Sequence, residues 1–263
     1  MGRCGVMAYI EIKNAGKTFV QGGKEFTALE EVNLTIDKGE FICLLGPYGC
    51  GKSTLLNAMA GFAPVNHGSI QIAGEEVSGP SVKHVTIFQN YGLLPWRTVQ
   101  KNVEFGLEAK RLSKEERKET AEKYIELVGL SEFSRSYPRQ LSGGMQQRVP
   151  IARALAVDPE IVFMDEPFGA LDAITRMKLQ DDILEICRRE EKTIIFVTHD
   201  IEEAVYLADR VVVMTPNPGK VKSVAEVPLH HYRDRTSGDF LYVRDKIFEL
   251  FNLKADTYIE YNI

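Results

Sequence analysis

In FICLLGPYGCGKST (residues 41–54), five apolar residues run without alternation into a glycine-rich turn. An unbroken apolar run of this length reads as a strand buried on both faces of a parallel sheet. The turn fits G-x-x-x-x-G-K-[ST], and LLNAMAG (55–61) follows as a helix. Strand, glycine loop and helix together make a phosphate cradle. Backbone N–H groups converge on one phosphate chain, and the helix N-terminus adds favourable charge. Lys52 is expected to reach the β- and γ-phosphates of a nucleotide, and the Ser53 hydroxyl to ligate Mg2+. The run Gly46, Pro47, Tyr48, Gly49, Cys50, Gly51, Lys52, Ser53 and Thr54 is the candidate nucleotide site. Tyr48 and Cys50 stand at x positions, where mainly the backbone acts. Cys50 reads there as an inert thiol, with an oxidisable one as the alternative.

Two further runs behave like the first. IVFM (161–164) and TIIFV (193–197) are apolar without alternation and end at DEP and THD. In open α/β sheets the ligand crevice lies at the carboxyl ends of the strands, so three chemically loaded strand ends are expected to converge. Asp165 would hold Mg2+ through its water shell, and Glu166 would polarise the water that attacks a γ-phosphate. Outside this context the pair is an acidic strand end turning at Pro167. His199 is placed to donate to the γ-phosphate, against the commoner structural role of a lone histidine. Gln89, ending VTIFQ (85–89), carries an amide able to touch both Mg2+ and water, with a surface loop as the alternative.

The other elements frame these ends. IEI (10–12), VNLTI (32–36) and SIQI (69–72) alternate, as strands with one buried face do. Helices are predicted over 114–130, burying Ala121, Tyr124, Ile125 and Val128 and ending at Gly129, and over 176–190, burying Leu179, Ile183, Ile186 and Cys187. The last fifty residues suggest a turn at PNPG (216–219), a strand and a helix near 239–251, with no chemistry of their own.

LSGGMQQRVPIARAL (141–155) is less ordinary. Ser142 is a good N-cap, yet Gly143 and Gly144 follow it and both weaken a helix. A helix start with unobstructed N–H groups suits an anion. Pro150 falls about two turns inside this helix. There it removes the hydrogen bond to the Gln146 carbonyl at a cost of about 3 kcal/mol unless the helix bends.

The totals narrow the class. At 263 residues and 44% hydrophobic, the chain can bury one substantial core with a subdomain. A net charge of −5 gives no basic footprint, which argues against a nucleic-acid partner. Four cysteines (Cys4, Cys43, Cys50 and Cys187) have no metal spacing and read as reduced thiols of a cytosolic protein. No apolar run approaches the ~18 residues needed to cross a bilayer. MGRCGVM lacks a signal-peptide core, so export is not indicated, and Met7 is an alternative start with residues 1–6 an appendage. No internal repeat is present.

Taken together these residues resemble the ABC (ATP-binding cassette) ATPases over roughly residues 9–215. LSGGMQQR (141–148) matches the family signature, and Gln89 (Q-loop), Asp165-Glu166, GALD (169–172) with Asp172, and His199 stand in the family order. The resemblance implies an α/β fold of the P-loop NTPase, ABC-ATPase type. Its RecA-like parallel-sheet core carries an N-terminal antiparallel β-subdomain and a helical signature subdomain. It implies one ABC ATPase domain over 1–263: a nucleotide-binding core with β-subdomain at 9–90 and 156–215, a helical subdomain at 91–155 and a C-terminal extension at 216–263. Phe19 takes the place of the aromatic that stacks on adenine, with an apolar-core role as the alternative. ATP and Mg2+ are the implied cofactors. Two cassettes would face head to tail, with Ser142, Gly143, Gly144 and Gln146 of one against the ATP held by the other. In the family V-A or V-G usually follows the signature arginine; here Val149-Pro150 stands instead.

YGLLPWRTVQKNVEFGL (91–107) resembles the importer region that meets a membrane subunit, with packing of Tyr91, Leu94 and Trp96 inside the helical subdomain as the alternative. LLPWRTVQKNV is similar to the branch serving nitrate, sulfonates, taurine and related small oxyanions. The implied protein is the ATPase of a bacterial importer on the cytoplasmic face of the inner membrane. Its partners would be a second cassette, transmembrane permease subunits and a periplasmic or lipid-anchored solute-binding protein. A soluble ABC protein of translation or repair, or an exporter cassette, is the alternative. One P-loop and one signature in the chain, and no sustained heptads, weigh against the soluble classes.

Overall fold

The computed structural model describes residues 8–88, 92–110, 112–169, 171–230 and 233–251. In chain order the elements are β1 (Ile10–Gln21), β2 (Lys24–Ile36), β3 (Phe41–Leu45), α1 (Lys52–Met59), β4 (His67–Ile72), β5 (Glu75–Glu76), β6 (His84–Ile87), α2 (Val99–Glu108), α3 (Lys114–Leu127), α4 (Gly143–Ala156), β7 (Ile161–Asp165), α5 (Ala173–Arg189), β8 (Thr193–Thr198), α6 (Ile201–Leu207), β9 (Arg210–Thr215), β10 (Lys220–Glu226) and α7 (Gly238–Leu250). The described residues form two compact units, one drawn from within 8–59, 63–77 and 197–251, the other from within 60–62 and 78–196.

The first unit contains an antiparallel sheet in the order β2-β1-β4-β5. Its alternating strands put Ile10, Ile12, Leu34 and Ile36 inside and leave polar neighbours such as Asn33 and Thr35 outside. The same unit holds β3 parallel to β9, which runs antiparallel to β10. All five residues of β3 are buried, as an unbroken apolar run on a parallel strand requires.

In the second unit β8, β7 and β6 are neighbours in that order, with β6 parallel to β7; β8 gives the last two of its residues to the first unit. Phe163, Phe168 and Phe196 are buried there. Helices α2, α3 and α4 pack on one another through Val103, Leu107, Tyr124, Ile125, Ile151 and Leu155. The predicted helices are present with their predicted buried faces, and Gly129 takes φ +65° just beyond α3, the left-handed turn glycine permits. Helix α4 runs from Gly143 to Ala156 with Pro150 inside and buried.

Candidate functional site

In the first unit the glycine loop connects β3 to α1, and each glycine that shapes it has a spatial reason. Gly49 and Gly51 adopt φ +77° and +89°, where a side chain strains the backbone. A Cβ at Gly51 would stand 2.8 Å from the Ala28 carbonyl oxygen, and one at Gly46 2.9 Å from that of Met214. Strands β2 and β9 therefore wall the loop from behind, and only glycine fits between. No acidic residue lies in the first turn of α1, so nothing cancels the positive end of its dipole.

Lys52 is buried at 5% exposure, and its Nζ donates to the carbonyls of Gly46 (2.8 Å) and Pro47 (3.1 Å). The ammonium is thus folded over the loop it belongs to, the place from which a cation meets a phosphate cradled there. Pro47, Tyr48, Gly49 and Ser53 are exposed and Thr54 is half-buried. Cys50 is fully buried, and burial pushes its thiol up against the opposing pull of Lys52. That environment keeps a thiol protonated and unreactive, in line with the inert reading.

His199 is exposed at the end of β8. Its backbone is fixed on both sides. The Thr198 hydroxyl donates to the buried Glu203 carboxylate (2.8 Å) and accepts from the Asp200 N–H (3.0 Å). Asp200 caps α6, accepting from the N–H groups of Glu202 and Glu203. Tyr48 was expected to act mainly through its backbone, yet its side chain reaches this histidine. The Tyr48 Oη lies 3.2 Å from His199 Nδ1 and 3.3 Å from Nε2, and the ring centroids are 5.0 Å apart. Phe19, on β1, is 42% exposed with the Lys17 ammonium 5.3 Å from its ring, so it is not a core residue.

In the second unit Asp165 ends β7 half-buried, and Glu166 follows at φ +47°. A non-glycine residue in that region costs on the order of 1–3 kcal/mol and persists only where its surroundings impose it. Pro167 and Phe168 follow it, both buried, with the Phe168 ring 5.5 Å from that of Phe196. Ser142 caps α4, accepting from the Met145 N–H at 3.3 Å. Gly143 is exposed with open space where a Cβ would stand, and no acidic residue occupies the first turn. Gly144 and Gln146 are half-buried; the Gln146 amide donates to the Leu141 carbonyl. Arg148 reaches back to the Val128 carbonyl at 2.9 Å, tying α4 to the end of α3. Asp172 caps α5, accepting from the Thr175 N–H at 3.0 Å, and this hydrogen bond holds its carboxylate below the usual range. Gln89 lies outside the described residues.

Two contributors, Gly219 and Asn102, escaped the sequence reading, and a third, Asp172, has a second role there. Gly219, in a tail expected to carry no chemistry, lies against the Cys50 carbonyl of the loop. Asp172 was read as a D-loop residue only, although an Asp before Ala-Ile-Thr is an N-cap signal that would have started α5 at 173. Asn102 is fully buried and pins Leu94–Thr98 through four hydrogen bonds, presenting Trp96 at 71% exposure. Trp96 therefore does not pack inside the helical group; Tyr91 lies outside the described residues.

Oxygen donors suit a hard cation such as Mg2+, which keeps much of its water and needs only one or two protein ligands beside phosphates. Ser53, exposed at the start of α1, and Asp165, at the strand end of β7, are of that type. Among the described residues no group of three or more His, Cys, Asp or Glu could hold a metal by itself, and no helix is long and apolar enough to cross a membrane.

Comparison with known proteins accords with this geometry. A family profile described as ABC transporter matches residues 29–169. The chain is 52% identical over 241 residues to an uncharacterized ABC transporter ATP-binding protein, MJ0412, of Methanocaldococcus jannaschii, covering 92% of this chain and 90% of that one. It is 49% identical over 218 residues to the taurine import ATP-binding protein TauB of Escherichia coli, covering 83% and 84%. Its fold matches a dimeric structure of the ATP-binding cassette MJ0796 in a post-hydrolysis state bound to ADP and Pi. The TM-score is 0.77 at 34% identity, over 84% of this chain and 100% of that one. A phosphate cradle on a buried strand, an open glycine-led helix and these relatives have one reading: the chain belongs to the ABC transporter family, as one of its ATP-binding, ATP-hydrolysing subunits.

Proposed function

We propose that the protein is the ATPase of a bacterial importer that takes up a small anionic solute such as a sulfonate, taurine or nitrate. The 49% identity to a taurine import subunit supports that class of cargo. A peripheral place on the cytoplasmic face of the membrane goes with it. The exposed Trp96, held on a loop pinned by Asn102, is the surface offered to a permease subunit. A solute-binding protein outside the membrane would deliver the cargo. The division into a nucleotide-binding core, a helical subdomain at 91–155 and an extension from 216 belongs to the same reading.

Within it each residue has a task. Phe19 offers its exposed face to adenine. The loop from Gly46 to Thr54 holds the phosphates through its N–H groups, and Lys52 turns its ammonium from the Gly46 and Pro47 carbonyls to the β- and γ-phosphates. Ser53, Asp165 and Gln89 hold magnesium, which when bound neutralises charge on the phosphate oxygens. Glu166, set at its strained φ, accepts the proton of the attacking water. His199 donates to the γ-phosphate. In a second copy of the chain Ser142, Gly143, Gly144 and Gln146 close on that phosphate, with Asp172 beside them in the dimer. Hydrolysis removes the contact and the pair reopens.

The observation that carries the dimer reading is the start of α4: a capped helix end with open space at Gly143 and no acid in its first turn. An anion brought by another molecule fits it. The test is the solution mass of the Glu166→Gln variant with ATP, with ADP and with neither. The expected result is a dimer with ATP alone; a monomer that binds ATP would remove the signature from the closure step.

A further inference from the structure

Two exposed aromatics stand opposite each other near the turn that joins β1 to β2. Gly22 and Gly23, at φ +58° and +78°, make that two-residue turn and leave Gln21 opposite Lys24. From this closure the register counts back without a slip, Val20 to Glu25 and Phe19 to Phe26. Directly paired residues share a face of the sheet with their Cβ atoms about 5 Å apart, so the two phenyl rings rise from the same side. Phe19 is 42% exposed and Phe26 52%, so neither packs into the core. Further along, Thr27 faces Thr18 and Leu29 faces Lys17, which makes Ala28 an extra residue, a bulge in β2. The Ala28 carbonyl is one of the atoms that wall the phosphate loop. It stands 2.8 Å from the Cβ position of Gly51 and accepts from the Gly219 N–H at 3.1 Å. Phe26 thus lies two residues, roughly 7 Å, along the strand from a residue that touches the loop.

We propose that Phe26 is a second base-binding residue: the adenine that stacks on Phe19 also packs against the Phe26 ring, and the phosphates run from there past Ala28 to the loop. This rests on the reading that Phe19 meets adenine and adds a residue to it. An aromatic ring holds a base through stacking and through apolar area removed from water. ATP and ADP carry the same base, so Phe26 sets how tightly a nucleotide is held without distinguishing substrate from product. The competing role is in the sheet, where a cross-strand aromatic pair joins β1 to β2. A pair left this open beside a phosphate loop fits a ligand better.

The test is calorimetry on the full chain with ADP, with the β,γ-imido analogue of ATP, and with inorganic tripolyphosphate, which has the phosphates and no base. The proteins are the parent, Phe19→Ala, Phe26→Ala and the double variant. Phe26→Ala is expected to weaken ADP and the analogue alike, by about five- to a hundredfold, the span of base–aromatic contacts, and to leave tripolyphosphate where it was. In the Phe19→Ala background the same change is expected to cost a further loss, because Phe26 touches the base itself. Tripolyphosphate weakened along with the nucleotides would show a sheet role that disturbs the loop. No further loss in the Phe19→Ala background would show that Phe26 only positions Phe19. Either result overturns the proposal. Should Phe19→Ala leave the ratio of nucleotide to tripolyphosphate affinity at the parent value, the reading of Phe19 fails and the proposal with it. Should Phe19→Ala lower that ratio while Phe26→Ala leaves it unchanged, only the proposal fails.

Discussion

Gly219 and Cys50, 169 residues apart in the sequence, meet so closely that a Cβ on Gly219 would stand 2.4 Å from the Cys50 carbonyl oxygen. The same Cβ would lie 2.7 Å from the Ala28 carbonyl, and Gly219 exchanges hydrogen bonds with Ala28 and Glu30 of β2. The turn before β10 thus supports the phosphate loop from beneath. Both obstructing atoms are backbone, so neither can rotate away. Gly219→Ala is expected to destabilise the protein by about 1–3 kcal/mol, as overpacking does, and to weaken ATP binding because the loop must shift. Denaturation midpoints and a nucleotide titration check this. Lost stability with unchanged ATP affinity would mean that β2, not the loop, gives way.

Arg233 plays a comparable part at the end of α6. Its buried guanidinium donates through Nη1 to the carbonyls of Val205 (2.7 Å), Tyr206 (2.9 Å) and Ala208 (2.8 Å), acceptors that a helix end leaves without partners. Arg233→Met keeps most of the apolar stem but leaves these carbonyls buried and unpaired. A loss of about 3 kcal/mol is expected, the cost of stranding acceptors rather than of losing a surface charge. Because α6 carries the cap that fixes His199, ATP hydrolysis by Arg233→Met should fall more steeply with temperature than hydrolysis by the parent. A parallel temperature profile would separate the cap from the site.

How much of this was legible in the sequence follows from where each constraint acts. Local constraints could be read directly. The apolar runs gave β3, β7 and β8, the spacing of Ala121, Tyr124 and Ile125 gave the face of α3, and the glycine pattern gave the loop. Contacts made across long separations could not. Nothing in PNPG says that its glycine abuts residue 50, and nothing in an x position says that Tyr48 will meet residue 199. The start of α5 was placed three residues late for a different reason. The Asp172 carboxylate accepts from the Thr175 N–H and so starts the helix at Ala173, ahead of the first strongly amphipathic turn.

That cap makes a pH prediction. The Asp172 carboxylate accepts the Thr175 N–H, and this lowers its pKa from the usual value. A lowered folded-state pKa means that the cap's ionic contribution is complete above the unfolded pKa, about 4 for an aspartate, and is lost as pH falls through the folded value. Asp172→Asn keeps an acceptor at the cap and removes the titration. The stability difference between parent and variant is expected to be flat above about pH 5 and to shrink below about pH 4. Urea midpoints at several pH values measure it. A difference that stays constant to the lowest pH would show that the carboxylate charge adds nothing there.

Pro150 sets two effects against each other inside α4. Its ring deletes the N–H that would bond the Gln146 carbonyl, which in a helix interior costs about 3 kcal/mol. Yet the residue is buried between Val149 and Ile151, so its ring also contributes packing. Replacing it by alanine removes two methylenes, worth about 0.8 kcal/mol each when buried. The backbone term is the larger, so Pro150→Ala should stabilise the protein by about 1–2 kcal/mol. A higher urea midpoint at unchanged slope is the expected reading. A lower midpoint would mean that the chain around Pro150 has adapted to the ring, with the Gln146 carbonyl already satisfied elsewhere. If the proline also tilts the glycine end of the helix, the variant's ATP-dependent dimer should differ in affinity from the parent's. Equal dimer affinity alongside higher stability would make Pro150 a matter of folding alone.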